Sequence, residues 1–273
     1  MITKGKKEYI PYLKNIWKEC FGDSDKYIDF FFEKRYKDDN VVIKICDDIP
    51  VAMLFVLEAD IIVNDKAEKY GYIYAVSTLK AYRGRGISTE LINYANSNFE
   101  LKGTFLVPAS ESLFNFYKYR DYKEAFSLKE VLFETYENKV DMYVIDEISA
   151  DKYTQIRDNM FLQEGYVKWG CEAIKYALEE NIFIGGKNYY IEYNGNVYAV
   201  MGYSENGRFF AREAVISDED FYDVLNFIAV KEKCNEVYTR IDVKRNIEGK
   251  NIDFGLINCN ENIKDGYFNI ALD

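Results

Sequence analysis

The chain of 273 residues has no histidine. That removes the side chain whose charge changes nearest neutral pH, and with it the commonest zinc or iron ligand. No metal is expected. Proton transfers must fall to tyrosine, carboxylates, cysteine, a chain terminus or water. Proline is scarce, at 3 residues, while aromatic residues make up 17% of the chain, with 25 Tyr and 19 Phe. That is the composition of a packed core and argues against disorder. The five cysteines, Cys20, Cys46, Cys171, Cys234 and Cys259, are scattered and form no C-x-x-C. They read as reduced, mostly buried thiols. No apolar run approaches the ~20 residues of a membrane span. Residues 1–7 lead into a polar amphipathic pattern and not the apolar core of a signal peptide. A cytoplasmic protein without a membrane partner is expected.

Net charge is -11 and unevenly placed: residues 1–140 hold 21 basic and 22 acidic residues, residues 141–273 hold 14 and 24. Nucleic acid is a poor partner for such a chain. A cationic small molecule or a basic peptide suits the acidic half.

What is present centres on one stretch. Tyr72 to Leu79 is a strand-like run rich in β-branched and aromatic residues. Lys80-Ala81-Tyr82-Arg83-Gly84-Arg85-Gly86-Ile87-Ser88 follows, and Thr89 to Ala95 resumes at helical spacing. A strand, a glycine turn and a helix N-terminus make an anion site, because the first-turn N–H groups lack intrahelical partners and the helix dipole is positive there. Gly84 and Gly86 let backbone approach a phosphate, and Arg83 and Arg85 add charge. No Gly-Lys-Ser/Thr follows, so the Walker pattern is excluded. Thr89 stands where the third glycine of G-x-G-x-x-G belongs, so the dinucleotide pattern is excluded as well.

Around that stretch the first half reads as α-α-β-β-β-α-β-α-β-β. Tyr9 to Phe21 is helical with Pro11 in its first turn. A second helix has Asp23 or Ser24 as its N-cap. Val41 to Cys46 and Val51 to Glu58, extended by Asp60 to Val63, form a hairpin. The strand Tyr70 to Leu79 and a helix to about Asn98 follow. A strand at Thr104 to Pro108 comes next, then a helix capped by Ser110 and strands at Tyr122 to Phe126 and Ser127 to Phe133. The second half gives helices at Ser149 to Phe161 and Lys168 to Ile182. Asn188 to Tyr193 and Val197 to Tyr203 form a hairpin about Asn194-Gly195-Asn196. A strand runs from Arg208 to Ile216, an acidic helix capped by Ser217 continues to about Cys234, and Glu236 to Asp242 is a strand. Phe254 to Cys259 and Gly266 to Leu272 are read as a closing hairpin. Both halves show two helices, hairpin, strand, helix, strand.

Arg83-Gly84-Arg85-Gly86-Ile87-Ser88 resembles the acetyl-CoA pyrophosphate loop of the GNAT N-acetyltransferase superfamily, with Ser88 where Gly or Ala is usual. Phe116-Tyr117 followed by Asp121-Tyr122 resembles that superfamily's (Leu/Phe)-Tyr and Gly-Phe-like pairs, with Asp121 in place of the glycine. The resemblance implies an α/β (α+β) fold with a mixed, mostly antiparallel sheet flanked by helices. It implies an acetyl-CoA-dependent N-acetyltransferase acting on an amine. Backbone groups of Val76 and Thr78 would hold the pantetheine arm, and Arg83, Gly84, Arg85, Gly86, Ile87 and Ser88 the pyrophosphate. Tyr117 would be the general acid. The two halves resemble tandem acyl-CoA N-acyltransferase domains of the enhanced-intracellular-survival type, with no room at 273 residues for that type's third domain. Residues 1–140 would be catalytic. Residues 141–273 would be degenerate, since Asp218-Glu219-Asp220 stands where the first half has arginines. The base is open between Glu111 acting through water and the terminal carboxylate of Asp273, which that resemblance brings into the site. Oligomeric state is open, a homo-oligomer included. A non-catalytic acyl-CoA-binding or regulatory protein is the alternative. An aminoacyl transferase using charged tRNA is disfavoured by the negative charge.

Overall fold

The computed structural model describes residues 1–137 and 139–270. It divides into two compact units that interleave along the chain. The first comprises residues 1–59, 69–123 and 256–261, the second residues 60–68, 124–255 and 262–273.

The first unit holds β1 (Ile2–Lys4), α1 (Ile10–Phe21), α2 (Asp25–Arg35), β2 (Val41–Cys46), most of β3 (Ile49–Val63), most of β4 (Lys66–Thr78), α3 (Ile87–Asn98), β5 (Gly103–Leu106) and α4 (Glu111–Lys118). The sequence misses β1, whose three residues pair with Lys44 to Val42 of β2. Ser24 is the N-cap of α2, accepting from the Tyr27 N–H at 3.2 Å. Ser110 caps α4 through the Leu113 N–H. Val51 to Leu57 is buried at every residue, as a strand covered on both faces must be. One face of the sheet carries Trp17, Phe31, Phe55 and Tyr74 in ring contact. The opposite face packs Leu54, Val56 and Ile73 with Ile87, Leu91 and Ala95 of α3, and with Tyr117 and Tyr122.

The second unit holds β6 (Lys123–Glu134), β7 (Tyr143–Ile145), α5 (Ala150–Phe161), β8 (Val167–Lys168), α6 (Cys171–Phe183), β9 (Lys187–Tyr193), β10 (Asn196–Glu205), β11 (Arg208–Val215), α7 (Phe221–Lys231), β12 (Glu236–Asp242) and the start of β13 (Lys250–Cys259). The Asn194-Gly195 turn closes the β9–β10 hairpin with both residues at positive φ, 49° and 76°, as a type I′ turn needs.

Strand order in the first unit is β1-β2-β3-β4-β5-β13, and in the second β7-β9-β10-β11-β12-β6. The two orders correspond strand by strand: each contains one parallel pair, β4·β5 and β11·β12, and ends on an antiparallel partner. Each unit takes that last partner from the other half of the chain. Leu256–Cys259 pairs with β5, and β6 pairs with β12. Among the described residues the closing hairpin expected at 254–259 and 266–272 is not formed; residues 271 and 272 of that expectation lie outside the described residues. β13 pairs with β5, and the described residues 266–270 form no strand, meeting the sheet's backbone through the Phe126–Gly266 bridge and a hydrogen bond from the Val167 N–H to the Tyr267 carbonyl at 2.9 Å. The expected strands 122–126 and 127–133 are one strand, β6. The acidic helix also starts later than read: α7 begins at Phe221, and Ser217 accepts from the Asp220 N–H ahead of it. All five cysteines are free, but only Cys234 is buried and the others are half-exposed.

Candidate active site

The site builds from the parallel pair of the first unit. β4 and β5 share the register Gly71↔Thr104 and Tyr72↔Phe105. β5 ends one residue later, whereas β4 runs on to Thr78. Six residues of β4 thus extend past the paired segment, and along them the edge towards β5 is open for an added strand. Within them Ala75 has φ 51°. A left-handed non-glycine residue inside a strand marks a bulge, which takes the next peptide out of the ladder and re-aims its groups. That peptide carries the N–H of Val76, a half-buried residue that packs against the α3 face.

Thr78 ends β4. Its carbonyl accepts from the Arg83 Nε–H at 3.0 Å and from the Cys20 thiol at 3.4 Å. Arg85 is turned the same way: an Nη2–H donates to the Ala81 carbonyl at 3.0 Å and its guanidinium lies 5.1 Å over the Tyr82 ring. Both arginines are exposed, yet each braces its own loop. Gly84 and Gly86 sit at φ 76° and 77°, a backbone that side chains with a Cβ resist. Nothing lies within 4 Å of where a Cβ would stand on either. Gly86 is the N-cap of α3 and no side chain caps that end, so first-turn N–H groups face an open cradle. Ile87 is buried against Leu91 and Val42 and roots the turn; Ser88 is half-buried beside it. The donor set and the open cradle fit a diphosphate.

Tyr117 lies on the last turn of α4 and is 7% exposed. Its ring meets Phe116 and Tyr122 edge-on at 5.1 and 5.7 Å. Burial pushes the phenol up to about 12, against the pull of the neighbouring Arg120 charge. Asp121, four residues on, has φ 63°. The turn wants a glycine there, and aspartate is among the residues that tolerate it. Tyr122 is tied by its hydroxyl to Thr104 at 2.6 Å and to Asn96 at 3.3 Å. Loop, β4 edge and Tyr117 all belong to the first unit. Asp273 lies outside the described residues. Glu111 is exposed in the first turn of α4.

Two features escaped the sequence. The bulge at Ala75 has no residue-level signal, since alanine is not a residue of left-handed backbone. Arg120 lies three residues past Tyr117, but charge alone did not single it out among 35 basic residues.

The counterpart pair in the second unit is arranged differently. β11 and β12 are in register from Arg208↔Glu236 to Ala211↔Thr239. Just beyond, the Asn269 side-chain amide donates to the carbonyls of Arg212 and Arg240, both at 3.0 Å. Residues 267–270 are buried throughout. Ahead of α7, Asp218 is held by Arg245 at 2.6 Å and Asp220 by Tyr198 and Asn194 at 2.5 and 2.8 Å.

This arrangement is the fold of GCN5-related acyltransferases. The chain is similar to a GCN5-related N-acetyltransferase from Anabaena variabilis at TM-score 0.75 and 16% identity, over 94% of this chain and 72% of that one. It is similar to Eis1 from Mycobacterium abscessus at 0.67 and 11%, over 95% and 73%. It is also similar to a GCN5-related N-acetyltransferase from Sphaerobacter thermophilus at 0.53 and 10%, over 98% and 96%. In sequence, residues 1–125 match the acetyltransferase (GNAT) domain. No curated protein matches the chain. Among the described residues no helix is long and apolar enough to cross a membrane.

Proposed function

We propose that the protein transfers the acetyl group of acetyl-CoA to a primary amine of a small cationic molecule or peptide. The observation that carries this reading is the continuity of the open β4 edge with the left-handed glycines and the uncapped start of α3. One extended ligand with an amide-bearing arm and a diphosphate matches all three. Backbone of Val76 and Thr78 takes the arm, and the N–H groups from Arg83 to Ser88 donate to the diphosphate oxygens. The Val76 N–H, re-aimed by the bulge, polarises the thioester carbonyl. As the new N–C bond forms and the C–S bond breaks, Tyr117 gives its proton to the departing thiolate. The amine's proton passes to a base. The resemblance assigns that role to the Asp273 terminal carboxylate, and Glu111 through a water is the other candidate.

The second unit is the degenerate member of a tandem of the enhanced-intracellular-survival type. In support, its strand gap holds Asn269 and its phosphate-side carboxylates are bound by the unit's own side chains. The acidic balance of residues 141–273 favours a cationic acceptor. The decisive experiment is free-thiol release from acetyl-CoA against a panel of polyamines, aminoglycosides and basic peptides. Release with no member of the panel, together with no thermal stabilisation by acetyl-CoA, overturns the proposal.

A further inference from the structure

Arg120 is half-buried, just past the end of α4, and its guanidinium and backbone N–H are bound to residues of α3 and α4. Its Nε–H donates to Thr89 Oγ1 at 2.8 Å, and Thr89 stands in the first turn of α3. An Nη1–H donates to the Phe116 carbonyl at 2.5 Å, and the guanidinium lies 3.4 Å over the Phe116 ring. Its own N–H donates to the Tyr117 carbonyl at 2.8 Å, and its carbonyl accepts from Asn258 at 3.3 Å. An arginine fork held at two donors and stacked on a ring has little freedom left.

We infer that Arg120 is a positioning residue that locks the acid Tyr117 to the first turn of the phosphate-loop helix and stabilises the phenolate formed when Tyr117 gives up its proton. The inference rests on the acetyltransferase reading and deepens it. When the Tyr117 O–H bond breaks and the CoA S–H bond forms, negative charge appears on a phenol oxygen in an apolar cluster. That cluster contains Ile87, Leu91, Leu106 and Leu256. The ionisable groups acting on Tyr117 or coupled to it are Arg120, whose charge favours the phenolate, and Tyr122, itself neutral and hydrogen-bonded to Thr104. Among the described residues, the fixed guanidinium of Arg120 is the cation that acts on that charge. Through Thr89 the same group ties the acid to the helix start that holds the diphosphate, so cofactor seating and acid placement share one side chain.

The test uses the full chain with 3,5-difluorotyrosine at position 117, whose phenol titrates in an accessible range and absorbs apart from ordinary tyrosines. Arg120→Gln should raise that pKa enough to cut the ionised fraction about tenfold at fixed pH, and Arg120→Lys should restore most of it. In thiol release, Arg120→Gln should lower kcat about tenfold with the acetyl-CoA KM changed less. An unchanged titration in both variants overturns the inference and leaves a clamp of structural value only. An unchanged kcat in Arg120→Gln, beside an inactive Tyr117→Phe, overturns it too but leaves Tyr117 as the acid. Full activity in Tyr117→Phe overturns the underlying reading instead. If the Gln variant does not fold, Thr89→Ala decides: with the guanidinium freed from its anchor the pKa at position 117 should rise, and an unchanged pKa overturns the inference.

Discussion

The Nε–H of Arg83 donates to the Thr78 carbonyl at 3.0 Å. The first arginine of the loop is therefore fastened to the end of the strand that precedes it. That bond holds the turn in shape. Arg83→Ala should leave the melting temperature nearly unchanged, because the side chain is exposed. It should weaken acetyl-CoA binding by about 1 kcal/mol, the scale of one hydrogen bond. That loss should persist at 1 M salt. A loss that vanishes with salt would point to direct phosphate pairing.

Gly86 makes the opposite case, where the fold tolerates a change and the loop does not. A side chain there meets open space but must adopt φ 77°. Gly86→Val should strain the turn by about 1–2 kcal/mol and displace the first N–H groups of α3. The expected result is a folded protein by circular dichroism whose thermal stabilisation by acetyl-CoA is lost.

Tyr117→Phe removes a hydroxyl from an apolar cluster and keeps the ring contacts with Phe116 and Tyr122. The melting temperature should hold or rise slightly, since no buried partner is orphaned. Thiol release should fall by ~100-fold or more, the usual contribution of a general acid. Because burial lifts the phenol to about 12, it stays protonated through the whole assay range. Any loss of rate on the alkaline side below pH 10 must then come from another group.

Buried tyrosines also set the alkaline limit of the fold. Burial raises the phenols of Tyr117, Tyr122, Tyr153 and Tyr267, with Glu213 adding to the effect on the last two. Tyr153 and Tyr267 both donate to Glu213, at 3.0 and 3.1 Å, and Arg157 binds the same carboxylate. In the unfolded chain these phenols ionise near 10. Their contribution is thus complete below pH 10 and is lost as pH rises above it, because the unfolded state then releases protons that the fold retains. Each such tyrosine should cost about 1.4 kcal/mol per pH unit in that range. Denaturant midpoints measured from pH 8 to 11.5 should be flat to about 10 and fall steeply beyond. A flat profile to pH 11.5 would contradict the burial of these rings.

Local signals carried much of the fold. The β-branched run before Arg83 is β4, the glycine turn opens α3, Ser24 and Ser110 cap their helices, and Asn194-Gly195 turns a hairpin. These depend on residues within a few positions of one another. What depends on distant partners was not legible. Asp218 to Asp220 read as the acidic start of a helix, yet Arg245 holds Asp218, and Tyr198 and Asn194 hold Asp220, in the turn before it. Residues 254–259 read as half of a hairpin with 266–272, but residues 256–259 pair with the distant edge of β5 instead. The candidate site followed the same division. The glycines and Tyr117 stand in a recognisable pattern, whereas the reach of Arg120 to Thr89 depends on how α4 packs on α3.

The exchange of last strands has a consequence for how the protein is made. A ribosome that has delivered the site residues from Val76 to Tyr117 has not yet delivered Leu256–Cys259, which closes the sheet beside β5. Until then that edge stands bare, a template for pairing with other chains. The first unit thus completes its sheet only once Leu256–Cys259 has emerged, long after the candidate loop from Arg83 to Ser88.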